Sequence, residues 1–132
     1  MKKKVILTVV FLVSLLPMLL NQYGGMRGVQ EISGLINLFN PIGLISLLLF
    51  FLGIWVSFKN NKINKILGAL GTIGIVISEI YQFLTWYIVN ITGKISLHNS
   101  IKFAFPEFYF GLTISLIMTF VYFNINKIVK EL

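Results

Sequence analysis

Four apolar runs, at about residues 5–22, 41–58, 66–90 and 106–124, constrain this chain more than any other feature. A helix needs about 20 predominantly apolar residues to cross the roughly 30 Å of hydrocarbon in a bilayer. Each run is that long or nearly so. Strands of a membrane barrel would alternate apolar and polar residues over about ten positions, whereas these runs are continuous. The expected fold is all-α: a polytopic integral membrane protein, a four-transmembrane-helix bundle in a single domain spanning residues 1–132. Composition agrees, with 11% charged residues against roughly 25% in an average soluble domain.

The formal net charge of +7 would suit nucleic acid if the cations shared one soluble face. They sit instead at the ends of the apolar runs, which excludes nucleic acid as the expected partner and makes the cations topology signals. Lys2, Lys3, Lys4, Lys59, Lys62, Lys65, Lys127 and Lys130 fall on one side, and Arg27, Lys94 and Lys102 on the other. Both termini are therefore expected in the cytoplasm, with a cytoplasmic loop at 59–65 and outside loops at 23–40 and 91–105. The chain has no Cys, which removes disulfides, thiol catalysis and thiolate metal sites together. Ten Lys against one Arg, with abundant Asn and Ile, points to an AT-rich genome and a bacterial cell membrane.

The basic start and first apolar run lack a small-x-small cleavage site, so they are expected to form a signal-anchor helix, kinked by Pro17 near its outer end. In the first outside loop Val29, Ile32, Leu35, Ile36 and Phe39 keep helical spacing, which predicts a short helix on the outer surface. Asn40 and Pro41 suit a helix cap and first turn. In the second run Gly43, Ser46, Phe50, Gly53 and Ser57 form a seam of mostly small residues. Trp86 and Tyr87 are expected to anchor the third run at the outer interface. Lys94, His98 and Lys102 recur every four residues in the second outside loop, one step from Leu97, Ile101 and Phe105. That spacing predicts a basic interfacial helix, a surface for lipid headgroups or an acidic peptide. Pro106 and Glu107 start the fourth run, whose seam holds Gly111, Ser115, Thr119, Tyr122 and Asn126.

Residues 56–65 and 121–130 share V-x-F-x-x-N-K-I-x-K at an offset of 65, and Pro41 and Pro106 align at the same offset. The match suggests two tandem helical hairpins related by an axis along the membrane normal. The first and third runs match poorly, with Ser14 opposite Glu79.

Glu79 is the one ionisable side chain deep in an apolar run. On a helix of about 3.6 residues per turn, Gly68, Gly71, Thr72, Gly74, Ser78, Glu79, Gln82, Thr85, Trp86 and Asn90 share less than half the circumference. Ile73, Val76, Ile77, Ile80, Leu84, Tyr87 and Ile88 fill the rest. An ionised side chain at the membrane centre costs about 2.5–3.5 kcal/mol on insertion scales. No Lys, Arg or His lies in any run to offset it. Glu79 is therefore either a neutral acid hydrogen-bonded in the bundle or a group met by a proton, a cation or a partner helix.

Glu79, Ser78, Gln82 and Thr85 are accordingly the candidate ion-handling or partner-contact residues. Gly53, Gly71, Gly74, Gly111 and Ser115 are the candidate helix-packing residues. With one His, no Asp and no Cys, neither a metal set nor a nucleophile-base pair can be assembled. No enzyme, cofactor or metal is expected. Two function classes remain. One is a small non-enzymatic accessory subunit of a membrane complex, or a protective or immunity protein against a membrane-active peptide. The other is a small oligomeric channel or proton- or cation-coupled transporter that uses Glu79. The expected partners are membrane lipids and either a homo-oligomer or a larger membrane protein complex.

Overall fold

Helix-compatible lysines and aliphatic residues carry the first helix, α1 (Lys2–Leu15), until Pro17 removes a backbone donor and the chain tightens into a 3₁₀ turn at Leu16–Leu19. The computed structural model describes residues 1–24, 31–86 and 95–132. Beyond the turn the backbone is extended. Strand β1 (Asn21–Tyr23) pairs antiparallel with β2 (Ile32–Ser33), and Gly34 N–H donates to Leu20 O at 2.9 Å. Helices α2 (Leu35–Phe39) and α3 (Pro41–Trp55) follow directly. Asn40 Oδ1 accepts the Gly43 N–H at 2.7 Å, and Pro41 sits in the first turn of α3. After a short loop come α4 (Asn61–Thr85), α5 (Leu97–Phe103), α6 (Pro106–Phe123) and α7 (Ile125–Glu131).

The chain is thus predominantly helical, with seven α-helices among the described residues. Two of them, α4 with 25 residues and α6 with 18, are long and apolar enough to cross a membrane, and α3 is a shorter apolar helix. The bounds differ from expectation at the loops. The second apolar run is helical only to Trp55, because Asn64 Nδ2 takes the carbonyls of Gly53 and Val56 and turns the chain early. Helix α4 correspondingly begins at Asn61, capped by Asn60, so Lys62 and Lys65 lie in its first turns rather than in a loop. The expected outer-surface helix survives only as α2, since Ile32 is committed to the strand pair and Val29 lies outside the described residues.

Helix α4 is the centre of the packing, with α3 along one side and α6 along another, while α1 packs on α6. The α3–α4 contact is close enough to exclude side chains. A Cβ on Gly71 would sit 2.6 Å from the Phe50 backbone, and one on Gly53 2.4 Å from Gly68 N. Phe50 in turn stacks on Phe11 of α1 with ring centroids 3.9 Å apart. Outward, large aliphatic and aromatic residues are exposed on four helices: Val9, Leu12 and Val13 on α1, Leu44, Ile45 and Leu48 on α3, Ile73, Ile77 and Ile80 on α4, Leu116, Ile117 and Phe120 on α6.

One end of the bundle carries a cap. Gly24 N–H donates to Phe103 O at 3.0 Å and Phe105 N–H to Gln22 O at 2.8 Å, so β1 binds the segment after α5 as well as β2. Tyr23, Trp86, Phe103 and Phe108 pack beneath this cap as an aromatic cluster. Trp86 is therefore buried against the Tyr23 ring, 5.5 Å between centroids, and not exposed as an interfacial anchor. Tyr87, expected beside it, lies outside the described residues.

Candidate functional site

Burying polar groups is tolerable only when they bond to each other, and the polar residues under the cap do so in a connected chain. The extended backbone beyond the 3₁₀ turn points Gln22 and Tyr23 inward, α2 contributes Asn37, the cap of α3 contributes Asn40, and α4 contributes Ser78, with Glu79 beside it. All six are buried. Tyr23 Oη donates to Asn37 Oδ1 at 2.7 Å, Asn37 Nδ2 to Gln22 Oε1 at 2.7 Å, and Gln22 Nε2 to Pro17 O at 2.9 Å. Ser78 Oγ donates to the Asn37 carbonyl and accepts from Asn40 Nδ2 at 2.7 Å. Burial pushes the Tyr23 phenol above the ordinary tyrosine range.

Glu79 lies next to this chain and is 1% exposed. Its Oε1 accepts from Ser115 Oγ of α6 at 3.0 Å. Its Oε2 is buried and has no hydrogen-bond partner among the described residues. Ser115 itself is buried, so this contact ties α4 to α6 in the interior of the bundle.

Of the candidate residues on α4, Ser78, Glu79 and Gln82 are brought together on the buried face. Thr85 is not part of the group. Its hydroxyl donates to Tyr81 O of its own helix at 2.6 Å. Gly71 lies against Phe50 and Gly74 against Ser46, both on α3, while Gly53 meets Gly68. Gly111 faces Pro17 and Gln22 with more room, its nearest neighbours 3.1–3.2 Å from where a Cβ would stand. His98 and Lys102 are exposed on α5, with the Lys102 ammonium 5.4 Å from the Phe103 ring centroid. Lys94 lies outside the described residues, as does Arg27. Glu31 accepts from Asn21 Nδ2 at 2.9 Å.

Sequence reasoning missed Gln22, Tyr23 and Asn37, and saw Asn40 only as a helix cap. The available signal was amides recurring among apolar residues from Gln22 to Asn40, a stretch expected to be mostly an outside loop: a solvated loop has no need to pair them, whereas a capping loop folded onto a helix end does. Among the described residues no three His, Cys, Asp or Glu side chains come together in a metal-binding group. What the arrangement can do chemically is hold one shielded carboxyl with a single fixed donor and one open acceptor. No known protein family, curated protein or solved structure matches this chain.

Proposed function

We propose that this chain is a four-helix integral membrane protein that works by association rather than catalysis, as an accessory subunit of a membrane complex or a protective protein against a membrane-active peptide. The observation that carries the reading is the inverted distribution of polarity. Asn37, Ser78, Glu79 and Ser115 are inside, while α1, α3, α4 and α6 each turn large apolar side chains outward. In water such a surface would drive aggregation, whereas hydrocarbon solvates it and leaves small and polar residues to hold the helices together. On this reading the spans are α1 with its 3₁₀ turn, α3, α4 and α6, and the termini are cytoplasmic. The interior polar groups are largely engaged with one another, which leaves the outer surfaces to meet a partner. The test is photo-crosslinking from α5 and from the lipid-facing sides of α1 and α6 in native membranes, together with the peptide sensitivity of cells lacking the chain. A defined partner or a specific sensitivity supports the proposal. A chain that crosslinks only to itself and protects against nothing overturns it.

The unpartnered Glu79 Oε2 favours a second reading, a carboxylate-dependent channel or cation-coupled transporter. Flux in liposomes under a pH gradient and a membrane potential separates the two readings. Flux that disappears in Glu79→Gln establishes the second, and its absence from folded native protein removes it.

A further inference from the structure

At the end of the bundle opposite the cap, the first turn of α1, the end of α3 with its loop, the start of α4 and the junction of α6 with α7 enclose a cleft of about 560 Å³. Three lysines from two helices line it, Lys3, Lys4 and Lys65, and its lining contains no carboxylate. None of the three is ion-paired among the described residues. Lys3 Nζ donates to Asn126 Oδ1 at 2.7 Å and Lys4 Nζ lies 6.0 Å from the Trp55 ring centroid. The amides of Asn61 and Asn126 add hydrogen-bonding groups, while Leu7, Ile54 and Phe58 supply an apolar wall.

Topology accounts for lysines on this side of the membrane. It does not account for their convergence on one cavity with no counter-charge. Lys3 and Lys4 also sit in the first turn of α1, where the helix dipole adds to the positive potential instead of offsetting it. The walls are held open independently of any ligand. Tyr122 Oη donates to Lys65 O at 2.8 Å, tying α6 to α4, and Asn64 clamps the Gly53 and Val56 carbonyls at 2.9 and 2.6 Å. A cavity of this volume falls within the usual range for small-ligand sites, about 300–1,000 Å³.

We propose that this cleft binds a phosphate group, that of an anionic phospholipid whose headgroup meets Lys3, Lys4 and Lys65 and whose glycerol and first methylenes lie on Leu7, Ile54 and Phe58. The apolar wall argues for a lipid over a free phosphate, and the cleft lies where the proposed spans leave the membrane. The site is separate from the partner surfaces and from Glu79.

The test is lipid retention, read by native mass spectrometry of the full chain released from vesicles of phosphatidylcholine with a minor fraction of phosphatidylglycerol. Preferential retention of phosphatidylglycerol is expected. The Lys3→Gln, Lys4→Gln, Lys65→Gln variant should lose about fivefold in affinity for each lysine neutralised. The charge-matched variant Lys2→Gln, Lys62→Gln, Lys127→Gln should keep the preference, since those residues do not line the cleft. Equal losses in the two variants, or no preference in the native chain, would overturn the proposal. Loss of the preference in excess glycerol phosphate would keep the phosphate site and assign it to a water-soluble phosphate, overturning the lipid as its source.

Discussion

Asn37 uses each part of its polar structure: Oδ1 accepts from Tyr23, Nδ2 donates to Gln22 and the backbone carbonyl accepts from Ser78. Such a residue holds several elements together, and its neighbours inherit its constraints. Tyr23 must stay protonated to donate. Its folded-state pKa is raised above the unfolded value by burial, so its contribution is fully present below about pH 10 and is lost as pH rises beyond it. Thermal unfolding in detergent should therefore fall off above about pH 10. Tyr23→Phe should flatten that fall while costing about 1–3 kcal/mol at neutral pH by orphaning Asn37 Oδ1. An equally steep alkaline fall in the variant would assign the effect elsewhere. Ser115→Ala removes the one donor to Glu79 among the described residues and should cost about 1–3 kcal/mol, measured by the same melts. A neutral result would mean that Glu79 finds another donor.

The hairpin of α3 and α4 depends on backbone approach, with Gly53 against Gly68 and Gly71 against Phe50. A methyl at Gly71 would meet backbone at 2.6 Å, which cannot rotate away. Gly71→Ala should therefore separate the helices at a net cost of about 1–3 kcal/mol, despite the better helix propensity of Ala. Gly111→Ala should cost less than Gly71→Ala, because its nearest neighbours, the Gln22 amide and the Pro17 ring, stand at 3.1–3.2 Å and need shift by only a few tenths of an ångström. Melting temperatures of the two variants decide it, and equal destabilisation would mean that the α3–α4 approach is not the tight one. The periodicity of small residues made the seam legible in the sequence. The partner of each glycine was not, since spacing places a residue on a face and does not say which helix covers that face.

Cysteine topology mapping suits the whole molecule, because the chain contains no native Cys to interfere. His98→Cys on exposed α5 should react with an impermeant thiol reagent from outside, and Lys59→Cys only after the membrane is opened. Labelling of both from one side would remove the four-span arrangement. The proposed tandem repeat maps α1 onto α4 and α3 onto α6, and under that exchange the α3–α4 pair corresponds to the α6–α1 pair; both pairs are in contact. The halves still differ where it matters chemically. Ser14 donates to Phe11 O in its own helix, while Glu79 at the matching position bonds across to Ser115.

Apolar run length, the prolines that start α3 and α6, and the small polar face of α4 are local properties of the chain, set by helix geometry and by the cost of burying polar groups. They could be read without knowing any neighbour. The cap was not readable in that way. Strand β1, Gln22 and Asn37 acquire their roles from residues 80 or more positions away or from elements that fold over them, as when Phe105 N–H bonds Gln22 O. The lysine cleft likewise exists only because the start of α1 meets the start of α4 and the α6–α7 junction. Charge and hydrophobicity are written residue by residue, whereas an enclosed site is a property of the distances between elements.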